Sequence, residues 1–168
     1  PAALDAVNRD AAAFVQELRA ASARPEAVVC AGVIGPRGDG YVAAERDTAE
    51  EAQEYHAAQI ASFAAAGLDM VAAYTLTHTE EAVGIALAAQ DAGLPVSIGV
   101  TVETDGRLPS GEGLREAIER IDARTDGAVA YFIVNCAHPT HFEDALQEDG
   151  AWLARIAGVR ANASTKSH

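Results

Sequence analysis

Cys136 is the side chain whose type and place in the sequence most clearly offer chemistry. It ends the apolar run Val129-Ala130-Tyr131-Phe132-Ile133-Val134-Asn135 and directly precedes Ala137-His138-Pro139-Thr140-His141. A thiol at the end of a buried strand faces solvent with a rigid scaffold behind it. There it can act as a nucleophile or bind a soft metal as its thiolate. His138 and His141 extend the pattern to C-x-H-x-x-H, a local set of zinc-type ligands whose convergence is hindered by Pro139 and the start of a helix. Asn135 and Asn162 are carboxamides at strand ends, where an amide orients a substrate or pins a loop. Cys30 is different, because it lies within Val28-Val29-Cys30-Ala31-Gly32-Val33 and reads as a small core residue. His56 reads as a packed or hydrogen-bonded group in a helix–loop interface, and His78 as the neighbour of a helix cap.

The elements that must position these groups alternate along the chain. An opening helix is expected over residues 3–22, with Leu4, Val7, Ala11, Phe14, Val15 and Leu18 on its apolar stripe, and Arg24-Pro25 breaks it. A strand over 27–34 runs into the glycine-rich loop 35–40, and Thr48-Ala49-Glu50-Glu51 forms a capping box that opens a helix to about Ala66. Strands near 69–76, 95–102 and 129–135 then alternate with helices near 79–92, 113–124 and 140–157, and a fifth strand starts near 159–163. Strands apolar on both faces and separated by helices predict a parallel sheet covered by helices. Their consecutive run fits an α/β architecture of the (β/α)8 TIM barrel type, with a doubly wound open sheet as the alternative. No G-x-G-x-x-G follows the first strand, so a dinucleotide site is not expected. Five strands are too few to close an eight-stranded barrel. Both architectures gather function at the carboxyl ends of the strands, which selects 35–40, 74–78, 102–108, 135–141 and 162–166.

Composition narrows the partners. A net charge of −13 argues against a nucleic-acid surface, since phosphate contacts require clustered Lys and Arg. The longest apolar stretches fall short of the roughly 20 residues of a membrane span, and the N-terminus carries no signal-type run. Two distant cysteines are no disulfide framework, and a cytoplasmic setting is expected. The chain of 168 residues begins with Pro1 rather than methionine, which suggests a start inside a longer natural chain.

Beyond these readings, the order of motifs resembles the homocysteine S-methyltransferase family. Val134-Asn135-Cys136 followed by His138-Pro139 is similar to that family's strand-end motif, and Gly35-Pro36-x-Gly38 to its G-P-x-G loop. Tyr55-His56-x-x-Gln59 with Ala66-Gly67-x-Asp69, Asp105-Gly106-x-Leu108-x-x-Gly111 and Arg160-Ala161-Asn162-Ala163 follow in the family's order. The resemblance runs from about residue 27 onward. It implies a single partial homocysteine-binding barrel domain over 1–168, lacking the first strands and the last strand.

The resemblance also implies a chemistry: transfer of a methyl group from a small-molecule donor to the zinc-activated thiol of homocysteine or a related thiol, as in methionine biosynthesis. Zinc would be the cofactor, held by three cysteine thiolates of which Cys136 matches the first, with the substrate sulfur in the fourth position. The adjacent cysteine pair expected for the others does not occur before His168, so the chain alone is expected to be inactive. Substrate contacts are expected from Asn135, Thr75, Tyr74, Asn162 and Glu103. Tyr74 stands where many family members place a glutamate that grips the substrate ammonium, and Glu103 or Asp105 is the expected substitute for its charge. A metal-dependent hydrolase built on Cys136, His138 and His141, or an inactive barrel segment, are the competing readings. The methyl donor and any homo-oligomer are left open.

Overall fold

In the computed structural model, which describes residues 2–43 and 46–167, five apolar runs become five parallel strands in the order β1-β2-β3-β4-β5. They are β1 (Ala31–Ile34), β2 (Met70–Leu76), β3 (Val96–Val100), β4 (Val129–Asn135) and β5 (Ile156–Arg160). Helices α1 (Ala2–Ala20), α2 (Ala49–Ala65), α3 (Thr79–Asp91) and α4 (Leu114–Thr125) precede or connect them, each packed on the next. A strand order without a reversal is that of a consecutive stretch of a β/α barrel and differs from a doubly wound sheet.

The central strand explains why. All five residues of β3 are buried, as a strand covered on both faces must be. α3 is nearly as enclosed, and Gly84 allows it to approach α2. A Cβ there would lie 2.5 Å from the Ala49 carbonyl oxygen and 2.6 Å from the Ala52 Cβ. The expected capping box is present: Thr48 accepts from the Glu51 N–H, and the Glu51 carboxylate accepts from the Thr48 N–H. No helix among the described residues is long and apolar enough to cross a membrane.

A buried pair ties the first loop to the helices. His56 on α2 and Glu81 on α3 meet at 3.0 Å, with 3% and 2% of their side chains exposed. Glu81 also accepts the Arg37 N–H at 2.6 Å, and the Arg37 guanidinium lies 4.9 Å from the Tyr55 ring centroid. Asp69 has a similar role at the other end of the sheet, accepting from the Cys30 N–H and the Arg19 guanidinium, each at 2.7 Å. Cys30 is buried, as a core residue should be.

Three expectations need correction. Most of the stripe of α1 does not face the core: Leu4, Val7, Phe14 and Leu18 are exposed, and of the stripe Val15 packs inward, beside Asn8, Ala12 and Gln16. The side of α1 nearest α2 is the one that can reach Gln59 and the Ala66 carbonyl. The helix expected over 140–157 is replaced by three short 3-10 turns, Pro139–His141, Ala145–Gln147 and Ala151–Arg155. Asp144 and Glu148 repel at helical spacing, and Gly150 adopts φ 152° with ψ 156°, a conformation essentially restricted to glycine. The fifth strand starts earlier, at Ile156, where Arg155 anchors it to Asp122 of α4 at 2.7 and 3.0 Å. It ends at Arg160, because the chain there leaves the ladder to bond around Cys136.

Candidate functional site

The carboxyl ends of β2, β4 and β5 meet at one mouth, and a break in regularity builds it. The register of β2 shifts between Ala73 and Leu76, and Thr75 takes φ 63°. That angle is a rare one for a β-branched residue. Cys136, just after β4, has φ 54°. These two strained residues face each other: the Thr75 hydroxyl lies 3.5 Å from the Cys136 sulfur as a donor. Backbone strain concentrated at two touching residues is characteristic of functional sites, where the surroundings must hold it.

Asn135 holds it here. Its Oδ1 accepts the Thr75 N–H at 3.0 Å, and its Nδ2 donates to the Thr75 hydroxyl at 2.9 Å. On the other side, Asn162 Nδ2 donates to the Cys136 carbonyl at 3.0 Å, and the Thr101 hydroxyl to the same carbonyl at 3.4 Å. The Cys136 N–H donates to the Arg160 carbonyl, and the Asn162 N–H to the Ala137 carbonyl. Asn135 and Asn162 are thus loop-pinning amides that fix Thr75 and Cys136.

Gly99 makes the arrangement possible. A Cβ on it would lie 2.6 Å from Asn135 Oδ1, 2.9 Å from the Ala73 carbonyl and 3.0 Å from the Tyr74 ring. Gly99→Ala should therefore destabilise the chain by about 2 kcal/mol and release the Asn135–Thr75 pair. Urea unfolding together with the amide resonance of Thr75 would check this, and an unshifted resonance at unchanged stability would refute it.

The electrostatics favour an anionic sulfur. Burial pushes the Cys136 thiol up, but hydrogen bonds from Thr75, Asn135 and Tyr41 and the positive charge of Arg160 outweigh it, leaving the pKa below its ordinary value. Tyr41 shows the reciprocal effect: its hydrogen bond to Cys136, and then the sulfur's charge, raise the phenol pKa. Tyr41 was not foreseen from the sequence. Its signal was the glycine-rich loop, in which Asp39 Oδ1 accepts the N–H groups of Tyr41 and Val42 at 2.7 and 3.1 Å.

Other expected residues fare differently. Tyr74 is half-buried at this mouth, with the Arg160 guanidinium 5.2 Å from its ring centroid. Glu103 and Asp105 make no hydrogen bond or ion pair with Tyr74 among the described residues. Glu103 belongs to a turn closed onto Arg107, and Asp105 accepts from the Arg107 N–H. His138 and His141 do not converge with Cys136 on a metal position. His138 Nδ1 accepts from the Thr140 N–H, and His141 Nε2 bonds the Thr165 carbonyl at 3.1 Å. His78 bonds Thr77 beside the start of α3, and His56 is engaged by Glu81.

A zinc ion needs several such ligands. Among the described residues no three His, Cys, Asp or Glu side chains are grouped to hold one. Cys136 has the chemistry of a single soft ligand, and the residues described do not make a closed zinc site.

A consecutive run of parallel β/α units with a thiol fixed at a strand end defines an α/β-barrel protein with a thiol-centred mouth. The sequence matches the homocysteine S-methyltransferase family over residues 2–168, and the chain belongs to that family of methyltransferases. No curated protein sequence matches it. Among solved structures it is similar to the homocysteine methyltransferase MmuM from Escherichia coli. The apo form has a TM-score of 0.73 at 19% identity, covering 98% of this chain and 71% of that one. The metallated form gives 0.72 at 18%, covering 96% and 67%, and the oxidized form 0.74 at 19%, covering 96% and 68%. At these identities the likeness is one of fold.

Proposed function

We propose that this chain presents a small thiol, homocysteine or a relative, for methylation, with Cys136 as one thiolate ligand of a zinc ion. In the reaction a bond forms between the acceptor sulfur and the methyl carbon. The bond from that carbon to the donor breaks, the donor keeps the electron pair, and the thiol proton leaves to solvent. The observation that carries the reading is the Cys136 turn, in which a strained backbone and a Thr75 hydroxyl held by Asn135 are directed at one sulfur. A thiolate of lowered pKa is a weak base toward an ordinary thiol. It suits a soft cation better than proton abstraction. Thr75 and Asn135 line the mouth beside it, placed to orient the acceptor, and the methyl donor is a second small molecule. No membrane or nucleic-acid partner is proposed.

The test is methionine formation from homocysteine with S-methylmethionine, S-adenosylmethionine, betaine or a methylfolate as donor, followed by mass spectrometry on the full protein chain. Methionine from any donor supports the proposal. None from any donor, with homocysteine leaving the Thr75 and Asn135 resonances unmoved, refutes it. The 168-residue chain alone should hold zinc far more weakly than a closed thiolate site. Competition with a chromophoric chelator measures this, and tight binding abolished by His138→Ala would instead establish the local C-x-H-x-x-H site.

A further inference from the structure

The mouth around Cys136 carries a positive charge that no carboxylate among the described residues pairs with. Every other arginine among the described residues donates its guanidinium to a carboxylate or to a backbone carbonyl. Among the described residues the Arg160 guanidinium does neither, and it packs on the face of the Tyr74 ring, 5.2 Å from the centroid. In a chain of net charge −13, carboxylates are abundant, so an arginine kept clear of them is set apart.

Its position is also specific. Arg160 is the last residue of β5, paired in register with Asn135, and its carbonyl accepts the Cys136 N–H. Stacking on Tyr74 limits the directions the guanidinium can take and leaves its N–H edge free. A planar fork of donors held at a strand end matches a carboxylate in two-point contact. Among the described residues, Tyr41, Tyr74, Thr75, Asn135 and Arg160, which surround Cys136, carry no carboxylate, and the nearby Asp39 is engaged by the N–H groups of Tyr41 and Val42.

We infer that Arg160, stacked on Tyr74, receives the carboxylate of a thiol acid, so that the acceptor at this mouth is selected by its negative end and not by an amino group. The inference rests on the thiol-methylation reading only for the role of acceptor, since the anion contact itself requires no chemistry.

Binding of two probes under reducing conditions decides it: mercaptobutyrate, which is homocysteine without its amine, and homocysteamine, which is homocysteine without its carboxylate. Calorimetry on the full protein chain should find mercaptobutyrate bound roughly tenfold tighter or more, as for a charge-assisted contact. Arg160→Gln should erase that preference, and Arg160→Lys should keep part of it, retaining charge but not the stacked fork. Arg160 is exposed, so its replacement leaves the core intact, and an unchanged unfolding midpoint would confirm that. Equal binding of the two probes, no binding of either, or a preference that survives Arg160→Gln overturns the inference. If Arg160 governs binding but no bound thiol is methylated, the carboxylate contact stands and the methyl-transfer reading falls.

Discussion

Replacing Glu81 with alanine should destabilise the chain by about 3 kcal/mol or more at neutral pH, although Glu81 lies outside the mouth. Removing one member of a buried charged pair leaves the other desolvated and unanswered. Here the loss is double. His56 would be left without its 3.0 Å partner, and the Arg37 N–H without its acceptor. The loop 35–40 that carries Asp39 toward Tyr41 would lose its anchor as well. Burial raises the Glu81 pKa, but hydrogen bonds from His56 and the Arg37 N–H and the nearby histidine charges outweigh it, so the folded value lies below the ordinary one. A group depressed on folding contributes stability above its unfolded pKa and loses it as pH falls through the folded value. The gap between wild type and Glu81→Ala should therefore be full at neutral pH and shrink on acidification below the ordinary carboxylate range. Urea unfolding at a series of pH values measures it. A gap that stays constant down to strong acid would mean that the carboxylate charge is not what stabilises this junction.

The same pair shows what a sequence can and cannot disclose. His56 is read correctly as a packed histidine because it sits on an amphipathic helix ahead of a strand, but Glu81 is not singled out. Nothing local marks a glutamate near a helix start as buried, since carboxylates there usually face water and the helix dipole. The strands were legible because both faces of β2, β3 and β4 are apolar, and because glycine, proline and the Thr48 capping box mark the boundaries. Cys136 was legible from its place after β4 alone. Tyr74, Thr75, Asn135 and Asn162 were legible as strand-end residues too, but the contacts that join them were not. Tyr41, Gly99 and Arg160 come from three different segments, and only the assembly of the parallel sheet brings them near Asn135 and Cys136. The segment 140–157 misled for an energetic reason: its apolar spacing suits a helix, while Gly150 and the Asp144–Glu148 repulsion oppose one. α1 misled in the opposite way, with an apolar stripe of which Leu4, Val7, Phe14 and Leu18 are exposed in the described chain while Val15 packs on the core.

Cys136→Gly should give a protein at least as stable as wild type and without methyl-transfer activity. The stability half follows from the backbone. Cys136 sits at φ 54°, where a residue with a Cβ is strained and glycine is not. Relief of that strain contributes about 1 kcal/mol, partly offset by the greater entropy of glycine in the unfolded chain. Little packing is lost, because the side chain is only half-buried and makes polar contacts. The activity half follows from what remains: Thr75, Asn135 and Tyr41 would still point at a position that holds no sulfur. Turnover should fall by roughly 100-fold or more, comparable with the loss of a group that acts directly on the reacting centre. Cys136→Ala separates the two effects, since it removes the sulfur but keeps the strain, and should be equally inactive yet slightly less stable than the glycine variant. Thermal unfolding and methionine formation, measured side by side on the full protein chain, give both halves. If Cys136→Gly is markedly less stable than wild type and retains turnover within a few-fold, the thiol is a structural filler and the strain at Thr75 and Cys136 serves the fold alone.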